Sequence, residues 1–86
     1  MDLRQLRYFL AVVEHGSFTR AAAATGRTQQ ALSKGIQALE QQLGARLFER
    51  GSRQVRLTGV GRLLVEHARP AHEAVRRFED RLAEMQ

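Results

Sequence analysis

The chain alternates helix stops with helix starts, and this constrains its fold more than any other feature of the 86 residues. Ser17 follows Gly16 directly, Thr28 follows Gly26 by two positions, and Gly44 and Thr58 bracket the one stretch that does not read as helix. A glycine just past a helix takes the left-handed cap conformation without steric cost. A Ser or Thr hydroxyl then accepts a hydrogen bond from an otherwise unpaired N–H of the next first turn. The spacing predicts helices over 3–15, from Ser17 to Gly26, from Thr28 to residue 43, and from Thr58 nearly to the end. The tight break at Gly26 makes the second and third a helix-turn-helix pair.

Each helix carries an apolar face. In the first, Leu3, Leu6, Phe9, Leu10 and Val13 form a broad stripe. Tyr8 and Val12 fall off it, which leaves either surface exposure or a second contact with the last helix or a partner chain. The second helix holds Phe18 and the run Ala21 to Ala24, which propagates helix well and lets a neighbour approach closely. In the third, Leu32, Ile36, Leu39 and Leu43 lie on one side, with Gln30, Ser33, Lys34, Gln37 and Gln41 on the other. Gly35 costs that helix about 1 kcal/mol relative to alanine. With Ala31 and Ala38 it forms a flank of small residues, read as the close crossing against the second helix.

Between Ala45 and Thr58 the pattern changes. Leu47-Phe48-Glu49-Arg50, a polar tip at Gly51-Ser52-Arg53-Gln54, and Val55-Arg56-Leu57-Thr58 read as a short β-hairpin, the wing that follows a helix-turn-helix. The last helix places Leu64, Ala68, Ala71, Val75, Phe78, Leu82 and Met85 at alternating spacings of four and three, a heptad seam. So long a helix cannot lie wholly against so small a body, so its C-terminal half calls for another surface, read as a second copy of the chain. Pro70 interrupts the backbone ladder and predicts a bend. The fold class is therefore mainly α: three helices and a short β-hairpin wing over 1–58, then a dimerisation helix over 59–86.

Charge supports a polyanionic partner. The net charge is +5. Residues 1–26 carry +1 (Arg4, Arg7, Arg20 against Asp2, Glu14), and residues 63–86 carry −1 (four arginines against five acids). Residues 27–62 carry +5: Arg27, Lys34, Arg46, Arg50, Arg53, Arg56 and Arg62 against Glu40 and Glu49. The whole excess thus coincides with the third helix and the wing, as an electrostatic footprint on nucleic acid does. The absence of cysteine excludes disulfides and Cys-based zinc sites. His67 and His72 are five apart, the wrong spacing for a metal pair on one helical face. No Gly-rich phosphate loop, nucleophile motif or paired carboxylates are present, so neither an enzyme nor a cofactor is expected. No apolar run approaches the roughly 20 residues of a membrane span. Without a charged-then-apolar leader, the expected location is the cytoplasm.

The outer face of the third helix offers amides, a hydroxyl and one cation instead of the Glu and Lys of a solvating surface. These groups read base edges and grip phosphates: Gln bonds adenine in a bidentate way, and Lys reaches guanine O6 and N7. Thr28 and Gln29 sit where the helix N-terminus meets a phosphate. Gln30, Ser33, Lys34 and Gln37 form the exposed row. Arg53, at the wing tip, reads as a minor-groove or phosphate contact, or as a solvated turn residue. Arg50 either joins it or braces the hairpin. Arg27, in the turn, is equally structural or DNA-facing.

Leu6-Arg7-Tyr8-Phe9, Gly16-Ser17-Phe18-Thr19-Arg20-Ala21-Ala22, Gln29 with Ala31-Leu32-Ser33-Lys34, Leu39-Glu40, Leu43-Gly44, Leu47-Phe48-Glu49-Arg50 and Leu57-Thr58 with Gly61 run in unbroken order over nearly the whole chain. In this the chain resembles the N-terminal domain of LysR-type transcriptional regulators. The resemblance implies a winged helix-turn-helix with a dimerising linker helix, bound to an interrupted palindrome in double-stranded promoter DNA. It implies DNA contacts at Thr28, Gln29, Gln30, Ser33 and Lys34, with Arg53 from the wing. It also implies a homodimer or tetramer in the full-length protein, with a small-molecule effector bound by a C-terminal domain that this sequence does not contain. Gln30 stands where proline is common in the family, Thr25 and Arg27 where aliphatics are usual, and Gly35 where a longer polar residue is typical. The function expected is sequence-specific DNA binding, with the third helix over 28–43 in the major groove and the wing over 47–57 beside it. The alternative is a winged-helix protein-interaction module with only non-specific DNA affinity.

Overall fold

The computed structural model describes residues 1–49, 51 and 54–86. Helices α1 (Leu3–His15), α2 (Phe18–Thr25), α3 (Gln29–Leu43) and α4 (Gly59–Met85) follow in order. Their starts are set by side-chain chemistry. The Asp2 carboxylate accepts the Gln5 N–H at 2.8 Å while the Gln5 carboxamide accepts the Asp2 N–H at 3.0 Å, a reciprocal capping box. The Ser17, Thr28 and Thr58 hydroxyls accept the N–H groups of Arg20, Ala31 and Gly61 at 3.0, 3.1 and 3.0 Å. Gly26, at φ 68°, ends α2 in the left-handed conformation, and the Arg27 N–H returns to the Ala22 carbonyl at 3.0 Å. The Thr25 hydroxyl donates to the Ala21 carbonyl at 2.8 Å, so the turn accommodates a polar residue without an unpaired group.

Phe9, Val12, Leu32, Leu39 and Leu47 are fully enclosed, and Leu6, Tyr8, Ile36 and Phe48 complete the core around them. The α1 stripe read from the sequence is corrected on two counts. Tyr8 and Val12, which fell off it, are buried at 8% and 0% exposure, while Leu3, on it, is 48% exposed. The cause is that α1 packs against α2, α3 and α4 at once, so its buried face is wider and turned relative to the stripe. The close crossing at Gly35 is likewise corrected, from α2 to α1. A Cβ on Gly35 would stand 2.8 Å from Tyr8 Cδ2, so the missing side chain makes room for the tyrosine ring.

The wing is reduced, among the described residues, to its base. Phe48 and Leu57 form a single antiparallel bridge. It is flanked by Glu49 N–H donating to the Arg56 carbonyl at 2.9 Å and Thr58 N–H donating to the Leu47 carbonyl at 3.0 Å. This pattern makes Phe48 and Leu57 a non-hydrogen-bonded pair, the kind whose side chains stand closest. Of the expected hairpin, Arg50 at the end of its first strand and Ser52 and Arg53 at its tip lie outside the described residues. Phe48 enters the core between Phe9, at 5.5 Å between ring centres, and Phe18, at 5.8 Å and edge-on. Two polar clasps complete the base. The Glu40 carboxylate accepts the Leu47 N–H at 2.7 Å, and the Thr58 hydroxyl donates to the Arg46 carbonyl at 2.6 Å. Replacing Glu40 by Ala leaves the N–H of buried Leu47 unpaired and is expected to lower stability by about 1–3 kcal/mol. Glu40→Gln keeps an acceptor oxygen and should lose less; urea midpoints of the two variants check the order.

Helix α4 has 27 residues, which at 1.5 Å each span about 40 Å and account for most of the 47 Å long axis of the molecule. Its first turns belong to the core: Gly61 and Ala68 are buried, and Leu64 and Val65 pack against the cluster. The helix continues through Pro70, and every residue from 76 to 86 is exposed.

Candidate nucleic-acid interface

On α3 the residues Gln30, Lys34, Gln37 and Gln41 are all exposed, while Leu32, Ile36 and Leu39 opposite are buried at 0%, 2% and 0%. At 3.6 residues per turn the four polar residues fall within a strip roughly 60° wide. The helix beneath them is held from several sides. Tyr8 of α1 meets Gly35, α2 packs across the turn, and Glu40 grips the wing base. The polar strip is therefore presented by a rigid body, as a probe that must keep register with a duplex requires.

Thr28, Gln29, Gln30, Ser33, Lys34 and Gln37, the α3 residues singled out in the sequence, all fall on the cap and first turns of this helix. They are not equivalent. Ser33 is half-buried, in a shallow cleft shared with Phe18, Gln37, Phe48 and Glu49, so it sits on the wing-side flank of the strip and not at its crest. The Thr28 hydroxyl accepts the Ala31 N–H, leaving its O–H as a donor. The Gln29 carboxamide oxygen accepts a hydrogen bond at 3.3 Å from the hydroxyl of Thr19 on α2. Sequence reading missed Thr19, because a contact ten residues apart across a turn follows no helical period. Arg50 and Arg53 lie outside the described residues. Around the site Arg27, Arg46, Arg56 and Arg62 are exposed, and Arg62 Nη1 donates to the Leu57 carbonyl at 3.1 Å, bracing the wing base.

Of the residues proposed for the seam on α4, Leu64 and Ala68 are occupied inside the subunit, Ala68 at 1% exposure. Ala71 is exposed and Val75 half-buried, while Phe78, Leu82 and Met85 stand 64%, 42% and 84% exposed. Among the described residues no group of three His, Cys, Asp or Glu could hold a metal ion. No described helix is long and apolar enough to cross a membrane.

A helix-turn-helix clamped by an antiparallel bridge at the base of a wing, with a polar probe face and a long trailing helix, defines a winged helix-turn-helix protein. The chain belongs to the lysR family of bacterial regulatory helix-turn-helix proteins, whose family model matches residues 3–62. It is 63% identical over 68 residues to the SDS degradation transcriptional activation protein of Pseudomonas sp. (strain ATCC 19151), covering 79% of this chain and 22% of that one. It spans between 22% and 36% of the length of that protein and two further regulators, one from Cupriavidus pinatubonensis and one from Caulobacter vibrioides. Among solved structures it superposes on the BenM DNA-binding domain in complex with catB site 1 DNA with a TM-score of 0.92, at 42% identity, covering 99% of this chain and 96% of that one. The CbnR DNA-binding domain in complex with DNA gives 0.86 at 39% identity, covering 99% and 98%. The family and these relatives are transcriptional regulators, not enzymes.

Proposed function

We propose that this chain is the sequence-reading unit of a dimeric transcription regulator acting in the cytoplasm. Helix α3 enters the major groove of promoter DNA, with Gln30, Lys34 and Gln37 toward the duplex and Thr28, Gln29 and Ser33 at its flanks. The carrying observation is the exposed polar strip of α3, fixed by packing on its other sides, in a chain that superposes closely on DNA-binding domains in complex with DNA. Residues 1–58 form the reading head, and 59–86 the linker that sets the distance between two heads. The first turns of that linker also complete the head's core. Ala71, Val75, Phe78, Leu82 and Met85 are the part of the seam left for a second copy, which would cover apolar surface now in water. An interrupted palindrome follows, because two heads related by a twofold axis read inverted half-sites. A small effector would act through a further domain, as the resemblance implies, and tetramers would form at that level.

A gel shift tests the reading directly. A duplex selected by this chain from a random pool should survive random competitor DNA at physiological salt. Equal competition by random DNA would favour a protein-interaction module instead. Arg53, at the wing tip of the sequence, is proposed to neutralise one phosphate. Arg53→Ala should lower affinity on all sequences and flatten the slope of log affinity against log salt by about 1. Binding isotherms over a salt series check it.

A further inference from the structure

We infer that Thr19 is a positioning residue for DNA recognition: its hydroxyl holds the Gln29 carboxamide oxygen and leaves the NH2 group available, making Gln29 a hydrogen-bond donor to the duplex. This rests on the proposed function and specifies the chemistry of one of its residues. A glutamine on a free helix end offers both an acceptor and a donor, and rotating its terminal torsion exchanges the two. With both groups available, it bonds adenine in a bidentate way. Here the Thr19 hydroxyl donates to Gln29 Oε1 at 3.3 Å across the turn between α2 and α3. With Oε1 engaged by Thr19, the two Nε2 hydrogens are left for an acceptor outside the protein.

Among the described residues the Thr19 hydroxyl has no other hydrogen-bond partner. The first turn of α2 is capped by Ser17, which accepts the Arg20 N–H. Thr19 itself is exposed, so its side chain does not fill the core. Gln29 is exposed too and borders the cleft where Ser17, Phe18, the α3 start and the wing residues Phe48, Glu49 and Val55 meet. A donor at that mouth faces either a phosphate oxygen or a base-edge acceptor such as purine N7; the two share one chemistry. The consequence is a division of labour on α3. Gln29 supplies an oriented donor, while Gln30, exposed on the strip and with no described residue holding its amide, keeps both groups for an adenine.

A double-mutant cycle on a duplex selected by this chain from a random pool tests the inference. Thr19→Val keeps the shape and removes the donor; it should weaken binding about 3- to 10-fold, with unfolding unchanged. Thr19→Ser should recover binding to within about twofold of the parent. In a Gln29→Ala background Thr19→Val should have no further effect, because the partner it positions is gone. The same loss in both backgrounds, or no loss in either, overturns the inference. A phosphate acceptor is indicated if one methylphosphonate linkage abolishes the Thr19 effect, and a base edge if a 7-deazapurine does. If neither substitution removes it, Gln29 is not the donor proposed. Failure of the selection to enrich any sequence would instead remove the proposed function beneath it.

Discussion

Gly61→Ala is expected to lower the unfolding free energy by about 3 kcal/mol or more, whereas Gly59→Ala, in the same first turn of α4, should leave it unchanged or raise it by about 0.5 kcal/mol. The two glycines differ in what surrounds them. A Cβ on Gly61 would collide with the Leu47 carbonyl oxygen and come within 2.9 Å of Leu57 Cδ2. The obstacle is backbone, so no side-chain rotation relieves it. That same carbonyl accepts the Thr58 N–H, and the Leu47 N–H is held by Glu40. Moving the strand away from α4 therefore breaks the wing base as well as the contact. At Gly59 the nearest atom to a new Cβ is Arg62 Nη2 at 3.8 Å, ordinary contact, and the residue is not in the left-handed region. Alanine there narrows the unfolded ensemble at no cost to the fold. Urea denaturation of both variants reads the contrast. Equal stability would mean that α4 does not press on the wing base as described.

Removing the cation from the α3 probe should have the largest effect on function. Lys34→Ala is expected to weaken binding to a selected duplex about 5- to 100-fold, the range for a lost charge-assisted or bidentate contact. Ser33→Ala should cost less, about 3- to 10-fold, because Ser33 lies on the half-buried flank and reaches at most one acceptor. Both should fold as the parent does. Lys34 is exposed, and the Ser33 hydroxyl takes no part in capping α3, which begins with Thr28. Circular dichroism together with binding isotherms separates lost contact from lost structure. Full affinity in both variants would mean that α3 does not face the duplex.

Helix boundaries were legible in the sequence because they are set by local chemistry. Ser17, Thr28 and Thr58 cap where their hydroxyls meet the next turn, and Gly16, Gly26 and Gly44 stop where a left-handed residue is needed. The partition of α3 into a buried and a polar face was legible for the same reason, since it needs only the helical period. Tertiary choices were not. Tyr8 and Val12 stay open between surface exposure and a second contact because one helix read alone has one stripe, whereas α1 has three neighbours. Gly35 marks a close crossing, but spacing alone does not say which helix crosses; the sequence reading assigned it to α2, and Tyr8 of α1 is the occupant. The hairpin pattern over 47–57 was read as two strands, but among the described residues one bridge and two clasping side chains hold its base. Of the heptad seam, Leu64 and Ala68 were spaced like the rest yet lie within the subunit, because spacing does not say where one surface ends and the next begins.

A crystal structure of this chain on a duplex it has selected would test the central claim most directly. The account predicts the start of α3 inside the major groove, with Gln30 and Lys34 within hydrogen-bonding distance of base edges or phosphates and a second copy gripping the inverted half-site. A complex in which the duplex lies against another surface, while that strip of amides faces solvent, would contradict it.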